Sequence, residues 1–171
     1  MTISGGTRRG ALALVPRIEE EPGETAWFCG HCGERPPVSS APAPYARVCS
    51  SCGLGLLLEA AADAAPDAGD AFLVLDRSLS VCAVSGGAET LLATSETEAV
   101  NQHVTALLVP AESEAQSGSL AAAVTVAAGG DGGPASVFVR PANLFGVRLR
   151  ARIAHCGPPQ AALLVFESVG S

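Results

Sequence analysis

The chain has 171 residues, 48% of them apolar and 4% aromatic, and a formal net charge of −7. That is enough apolar material for a core in a small module plus one domain of about 100 residues. All ten basic residues are arginine, and acids outnumber them in both halves; such a balance argues against a phosphate-gripping protein, because nucleic-acid affinity draws heavily on neutralising phosphates, although a local basic patch stays open.

At the N-terminus, Thr7-Arg8-Arg9 precedes the short apolar run Gly10–Val15, and the acids Glu19-Glu20-Glu21 follow. The run is too short for a secretory leader, and no stretch approaches the roughly 18–20 apolar residues of a membrane span. A soluble, cytoplasmic protein without a membrane association is therefore expected. Residues 1–24 read as a flexible segment, 25–58 as a cysteine-bearing module with a proline-rich middle, 59–69 as a linker with a helical turn before Pro66, and 70–169 as a globular domain.

Within the last domain, Ala71–Leu75 and Leu79–Val84 form two strands about an Asp76-Arg77-Ser78 turn. Gly86-Gly87 break the second strand, and a helix runs over Ala88–Ala93. Ser95 with Glu98 three residues on has the pattern of a capping box. A short helical segment is expected over Val104–Leu108, stopped by Pro110, and a longer one over residues 112–128, where Leu120, Val124 and Ala127 share a face. After the glycine cluster Gly129–Gly133 come three strands, Ala135–Arg140, Phe145–His155 and Ala161–Ser168. In the second of these Val147, Leu149, Ala151 and Ile153 alternate with Arg148, Arg150 and Arg152, the period of a sheet with one wet and one buried face. The wet arginines are expected to find cross-strand ion pairs. The fold class is α+β: a five-stranded antiparallel sheet with helices over one face, preceded by the small cysteine module.

Two pairs, Cys29-Gly30-His31-Cys32 and Cys49-Ser50-Ser51-Cys52, lie sixteen residues apart. Cysteines two residues apart can turn both sulfurs toward one ion while the backbone makes a tight knuckle, and two such knuckles complete a tetrahedron. Gly33 and Gly53, one after each second cysteine, suit the unusual backbone angles of that turn. Four thiolates satisfy Zn2+ and leave no position for a substrate water, so Cys29, Cys32, Cys49 and Cys52 are assigned to a structural zinc in a zinc-ribbon-like module. Metal binding then supplies folding energy that so small a core lacks, about 10–16 kcal/mol in zinc peptides. Two disulfides are the competing reading, disfavoured in a chain with no leader. His31 is expected to be exposed at the knuckle tip, and Trp27, Phe28 and Tyr45 to pack around the knuckles.

The phrases Asp70–Asp76 and Leu79–Ser85, then Ala88-Glu89-Thr90-Leu91-Leu92, then Glu98–Val104 with Leu107–Glu112, resemble the opening of a PAS domain in content and order. Asn101 stands where that family commonly has glycine. The resemblance covers about 100 residues, with the three closing strands in place. It implies a sensing or protein-interaction module rather than an enzyme, a protein partner, a small-molecule pocket between helices and sheet, and self-association as an open question. It implies no haem or flavin here. Neither Cys82 nor Cys156 lies in the phrase a flavin photosensor carries, and both are expected as buried small side chains. His103, the only histidine among the helices, is expected to face solvent rather than ligate haem, and His155 to be exposed. The resulting expectation is a cytoplasmic regulatory protein, zinc-stabilised at its docking module, with no output domain of its own. The alternative is a transcription-related factor that contacts nucleic acid through the zinc ribbon. No nucleotide loop, serine elbow or His-Glu helix motif points to an enzyme.

Overall fold

A computed structural model of the chain describes residues 23–37, 41–111 and 119–167. Most of the expected N-terminal segment, the start of the 112–128 helix and the last residue of the 161–168 strand lie outside the described residues. The strands are β1 (Thr25–Cys29), β2 (Leu57–Ala61), β3 (Phe72–Leu75), β4 (Val81–Val84), β5 (Leu108–Pro110), β6 (Ala135–Pro141), β7 (Leu149–Gly157) and β8 (Ala161–Glu167). The helices are α1 (Gly86–Leu92), α2 (Glu96–Ala99) and α3 (Leu120–Ala128), with a 3-10 turn at Val104–Ala106.

All eight strands join one antiparallel sheet of order β1-β2-β7-β8-β3-β4, with β6 on β7 and β5 on β6. This corrects the expected five strands: β5 adds to β6, and β2, carrying β1, joins at the edge of β7. One edge of β7 pairs with β8 from Arg150 to Cys156. Its other edge pairs with β6 as far as Ile153, and beyond that β2 takes over, with Ala60 opposite Cys156 and Glu59 opposite Gly157. Unpaired backbone along an edge is a cost that this second partner removes. Residues 59–61, expected in the linker, are thus the second half of a strand. The single turn that follows is present, with Ala65 N–H donating to the Ala61 carbonyl.

Alternation along β3 and β8 builds two cores. Leu73 and Leu75, with Ala162, Leu164 and Phe166, face the helices and pack with Leu92, Val104, Leu108 and Val124. Phe72 and Val74, with Leu163 and Val165, face the other way and are covered by Phe28, Leu58 and Ala60 from the β1–β2 hairpin. The outer face expected to be wet is therefore buried where the hairpin lies over it. Phe28 meets Phe72 edge-to-face, centroids 5.9 Å apart and planes at 88°, a favoured aromatic geometry.

The strand with arginines starts later than expected, at Leu149. On its exposed end Arg150 pairs across the strands with Glu167, Nε to Oε2 2.9 Å, and Arg148 lies over the Phe138 ring at 4.0 Å. Arg152, nearer the hairpin, reaches the Ala64 carbonyl instead. Ser85, the one buried polar residue among those described, ties the layers together: its Oγ accepts from Phe72 N and from Ala88 N and donates to the Asp70 carbonyl. The capping box at the start of α2 is formed. Asn101 has φ of +68°, so it does the work of the glycine it replaces, asparagine being among the few residues that tolerate the left-handed region.

Candidate metal centre

The four assigned cysteines converge at the tip of the hairpin, where their Sγ atoms all lie within 4.8 Å of one another. Cys29 and Cys52 sulfurs are 3.6 Å apart, Cys32 and Cys49 sulfurs 3.9 Å. A tetrahedron with metal–sulfur bonds of about 2.3 Å has edges of about 3.8 Å, so the donor set fits zinc in both chemistry and spacing. All six cysteines are free thiols.

The two knuckles repeat one hydrogen-bond pattern. Gly33 N–H donates to the Cys29 carbonyl and Gly53 N–H to the Cys49 carbonyl, at 3.0 and 2.9 Å; Cys29 N–H donates to the Glu34 carbonyl and Cys49 N–H to that of Gly55. Gly33 and Gly53 have φ of +73° and +68°, the left-handed conformation their positions require. Amide N–H groups also point at the sulfurs. Those of His31 and Cys32 approach Cys29 Sγ at 3.4 and 3.5 Å, and that of Gly55 approaches Cys52 Sγ at 3.5 Å. Such donors stabilise thiolates and orient metal ligands. The amides of Gly55 and Leu54 draw the Cys52 thiol down to about 6, while burial pushes Cys29 up to about 12 and Cys32 upward as well. A metal binding here must displace those protons, so binding weakens on acidification.

Gly55 is a residue the motif does not reveal. A Cβ added to it would stand 2.3 Å from Cys29 Sγ and 2.8 Å from His31 Cβ. The signal in the sequence is only its place three residues after Cys52, in a run that returns to β2.

Around the sulfurs Leu57 is buried and Trp27 packs half-buried. Two other expectations change. Phe28 turns away from the knuckles into the outer core of the sheet, and Tyr45 is fully exposed. Nor is His31 at an exposed tip: it is half-buried, with Nδ1 3.3 Å from Glu96 Oε2 on α2. Both arginines of the module are engaged with this chain's own carbonyls. Arg35 binds those of Ala65 and Pro66 and pairs with Asp67 at 3.1 Å. Arg47 donates to the carbonyls of Leu57 and Pro158 and lies 5.9 Å from the Trp27 ring.

The remaining candidates separate. Cys156 is buried as expected, and burial pushes its thiol up to about 12. Cys82 is exposed rather than buried, because its side chain points to the outer face of β4, the sheet edge. His103 is exposed, and its Nδ1 lies 2.7 Å from Thr105 Oγ1 at the start of the 3-10 turn. His155, expected exposed, is half-buried with Nδ1 2.9 Å from the Ala127 carbonyl at the end of α3.

No protein-family profile and no curated protein matches the chain. Among solved structures, the PAS domain of nitrogen regulation protein NR(II) from Vibrio parahaemolyticus is similar over 57% of this chain and 86% of that one, at 24% identity and a TM-score of 0.41. Among the described residues no helix is long and apolar enough to cross a membrane.

Proposed function

We propose that this chain is a zinc-stabilised sensory or protein-interaction module of PAS type that passes its signal to a protein partner. The observation that carries the reading is the convergence of four sulfurs at the tip of a hairpin built into the sheet's own edge and outer core. Zinc bound there organises the hairpin, and the hairpin covers the outer face of the sheet. The site is structural, because four protein thiolates fill a tetrahedral ion and leave no position for substrate. The order of PAS-like phrases supports the sensory part, as does the helical layer over the inner face.

A protein partner is favoured over nucleic acid for two reasons. Arg35 and Arg47, the module's only basic residues, already hold carbonyls of this chain. The second knuckle presents apolar surface instead, with Tyr45 fully exposed and Leu54 74% exposed. Exposed apolar and aromatic side chains suit protein docking better than phosphate contact.

The test is to purify the full chain from cells without added metal and to record metal content, visible absorption and anisotropy of a labelled DNA duplex at low salt. The expected result is one zinc per chain, no visible band and no salt-dependent binding. A haem or flavin band would put a cofactor in the domain and overturn the colourless-sensor reading. Duplex binding that weakens steeply with salt would favour the transcription-related alternative.

A further inference from the structure

A cavity of about 370 Å³ lies in the seam between the metal hairpin and the outer face of the sheet. Small-molecule sites run from about 300 to 1,000 Å³ and combine apolar walls with a few convergent polar groups. Here Leu54, Leu56 and Leu58 of the hairpin face Val74 and Ala83 of the sheet across the gap. The polar side chains of the lining include two carboxylates, Asp76 from the β3–β4 turn and Glu96 from α2, beside His31 and Gln160, and no arginine.

Each carboxylate retains capacity for a ligand. Asp76 is fixed by the turn, its Oδ1 accepting from the N–H groups of Ser78 and Ser80 at 2.8 and 2.9 Å. Its Oδ2 has no partner among the described residues. Among the described residues the Glu96 carboxylate meets only His31, through Oε2, which leaves Oε1 open. Whether His31 is neutral or charged, the lining keeps more negative than positive charge.

We propose that this seam binds a small amphiphilic organic cation, its ammonium or guanidinium head held by Asp76 and Glu96 and its apolar body laid against Leu54, Leu56 and Leu58. Such a ligand touches the hairpin, the sheet and α2 at once, so occupancy ties the helical layer to the metal module. The proposal rests on the metal-held hairpin being folded, since that hairpin forms one wall. Metal content and ligand binding are therefore read separately.

The probe is n-hexylamine, charged at neutral pH, with hexanoate and hexanol as controls of matched apolar body. Full-length, zinc-loaded protein is titrated with each, and backbone amide shifts are followed by two-dimensional NMR. Saturable shifts with hexylamine at Leu56, Leu58 and Ala83, and weaker or no binding of hexanoate, are expected. Glu96→Gln weakens hexylamine by about three- to fivefold, the size appropriate to a part-exposed charge pair, with zinc content unchanged. Ala83→Leu fills the cavity and abolishes the shifts; Glu96→Gln stays informative if that variant does not fold. Equal binding of hexanoate, shifts confined to the inner core at Leu92, Val104 and Leu108, or no saturable shifts in zinc-loaded protein would each overturn the proposal. Protein found without zinc and with a disordered hairpin would instead refute the metal reading beneath it.

Discussion

The β1–β2 hairpin and the sheet-and-helix body obtain their structure by opposite means. The body has an inner core of more than twenty buried apolar residues drawn from strands and helices alike. The hairpin's own cluster is Cys29, Cys49 and Leu57, with Trp27 and the other two ligand cysteines packed beside it. Nothing that small offsets the conformational entropy of ordering a module of over thirty residues. Two external supports stand in for the missing core: at one end the four converging sulfurs, which a metal would join, and at the other the edge of β7 with the Phe28–Phe72 contact. The hairpin is thus a graft that completes its host, since removing it would uncover Phe72, Val74, Leu163 and Val165.

Stripping the metal separates the two regions most sharply. A strong chelator should abolish hydrogen-exchange protection across 25–61 while the inner face of β3 and β8 stays protected, because binding worth about 10–16 kcal/mol in zinc peptides is folding energy for the hairpin alone. Collapse of protection throughout would show that the body cannot stand without its graft. Phe28→Ala attacks the joint rather than the metal. It should cost about 3–5 kcal/mol in chemical denaturation and leave zinc stoichiometry intact; loss of zinc in this variant would mean that the knuckles depend on the sheet for their shape.

Smaller changes sharpen the comparison. A thiol in the unfolded chain ionises near 9.0, whereas folded Cys156 keeps its proton to about 12. Below 9.0 both states are protonated and this contribution is fully present; between 9.0 and about 12 only the unfolded state sheds the proton, so stability is lost as pH rises. By pH 10 the loss is about 1.4 kcal/mol, and Cys156→Ala should remove that part of the alkaline slope in pH-dependent denaturation. Smallest is Asn101, in the body. Asn101→Ala should cost about 1 kcal/mol because of the positive φ, whereas Asn101→Gly should leave the thermal midpoint nearly unchanged.

The same contrast decides what could be read from sequence. Of the knuckles, the cysteine spacing and the glycines at 33 and 53 were legible, since they are local chemistry. So were the strands at 72–75 and 161–167, the capping box of Ser95 and Glu98, and the helix reaching Ala128, whose signals are periodic or positional. What escaped was set by distant partners. The stretch Glu59-Ala60-Ala61 has a composition closer to helix than strand, and only pairing with β7 makes it β2. Leu108–Pro110 reads as the end of a helical turn until β6 is laid beside it. His31 changed surroundings because the module packs against α2, and Cys82 because β4 is the edge strand of the sheet; no local pattern announces either placement.

X-ray absorption at the zinc edge of the protein as purified tests the metal centre most directly. Four sulfur neighbours at about 2.3 Å, with one zinc per chain by elemental analysis, is the expected result. A first shell containing nitrogen or oxygen, or thiols oxidised in pairs with no metal bound, would contradict it.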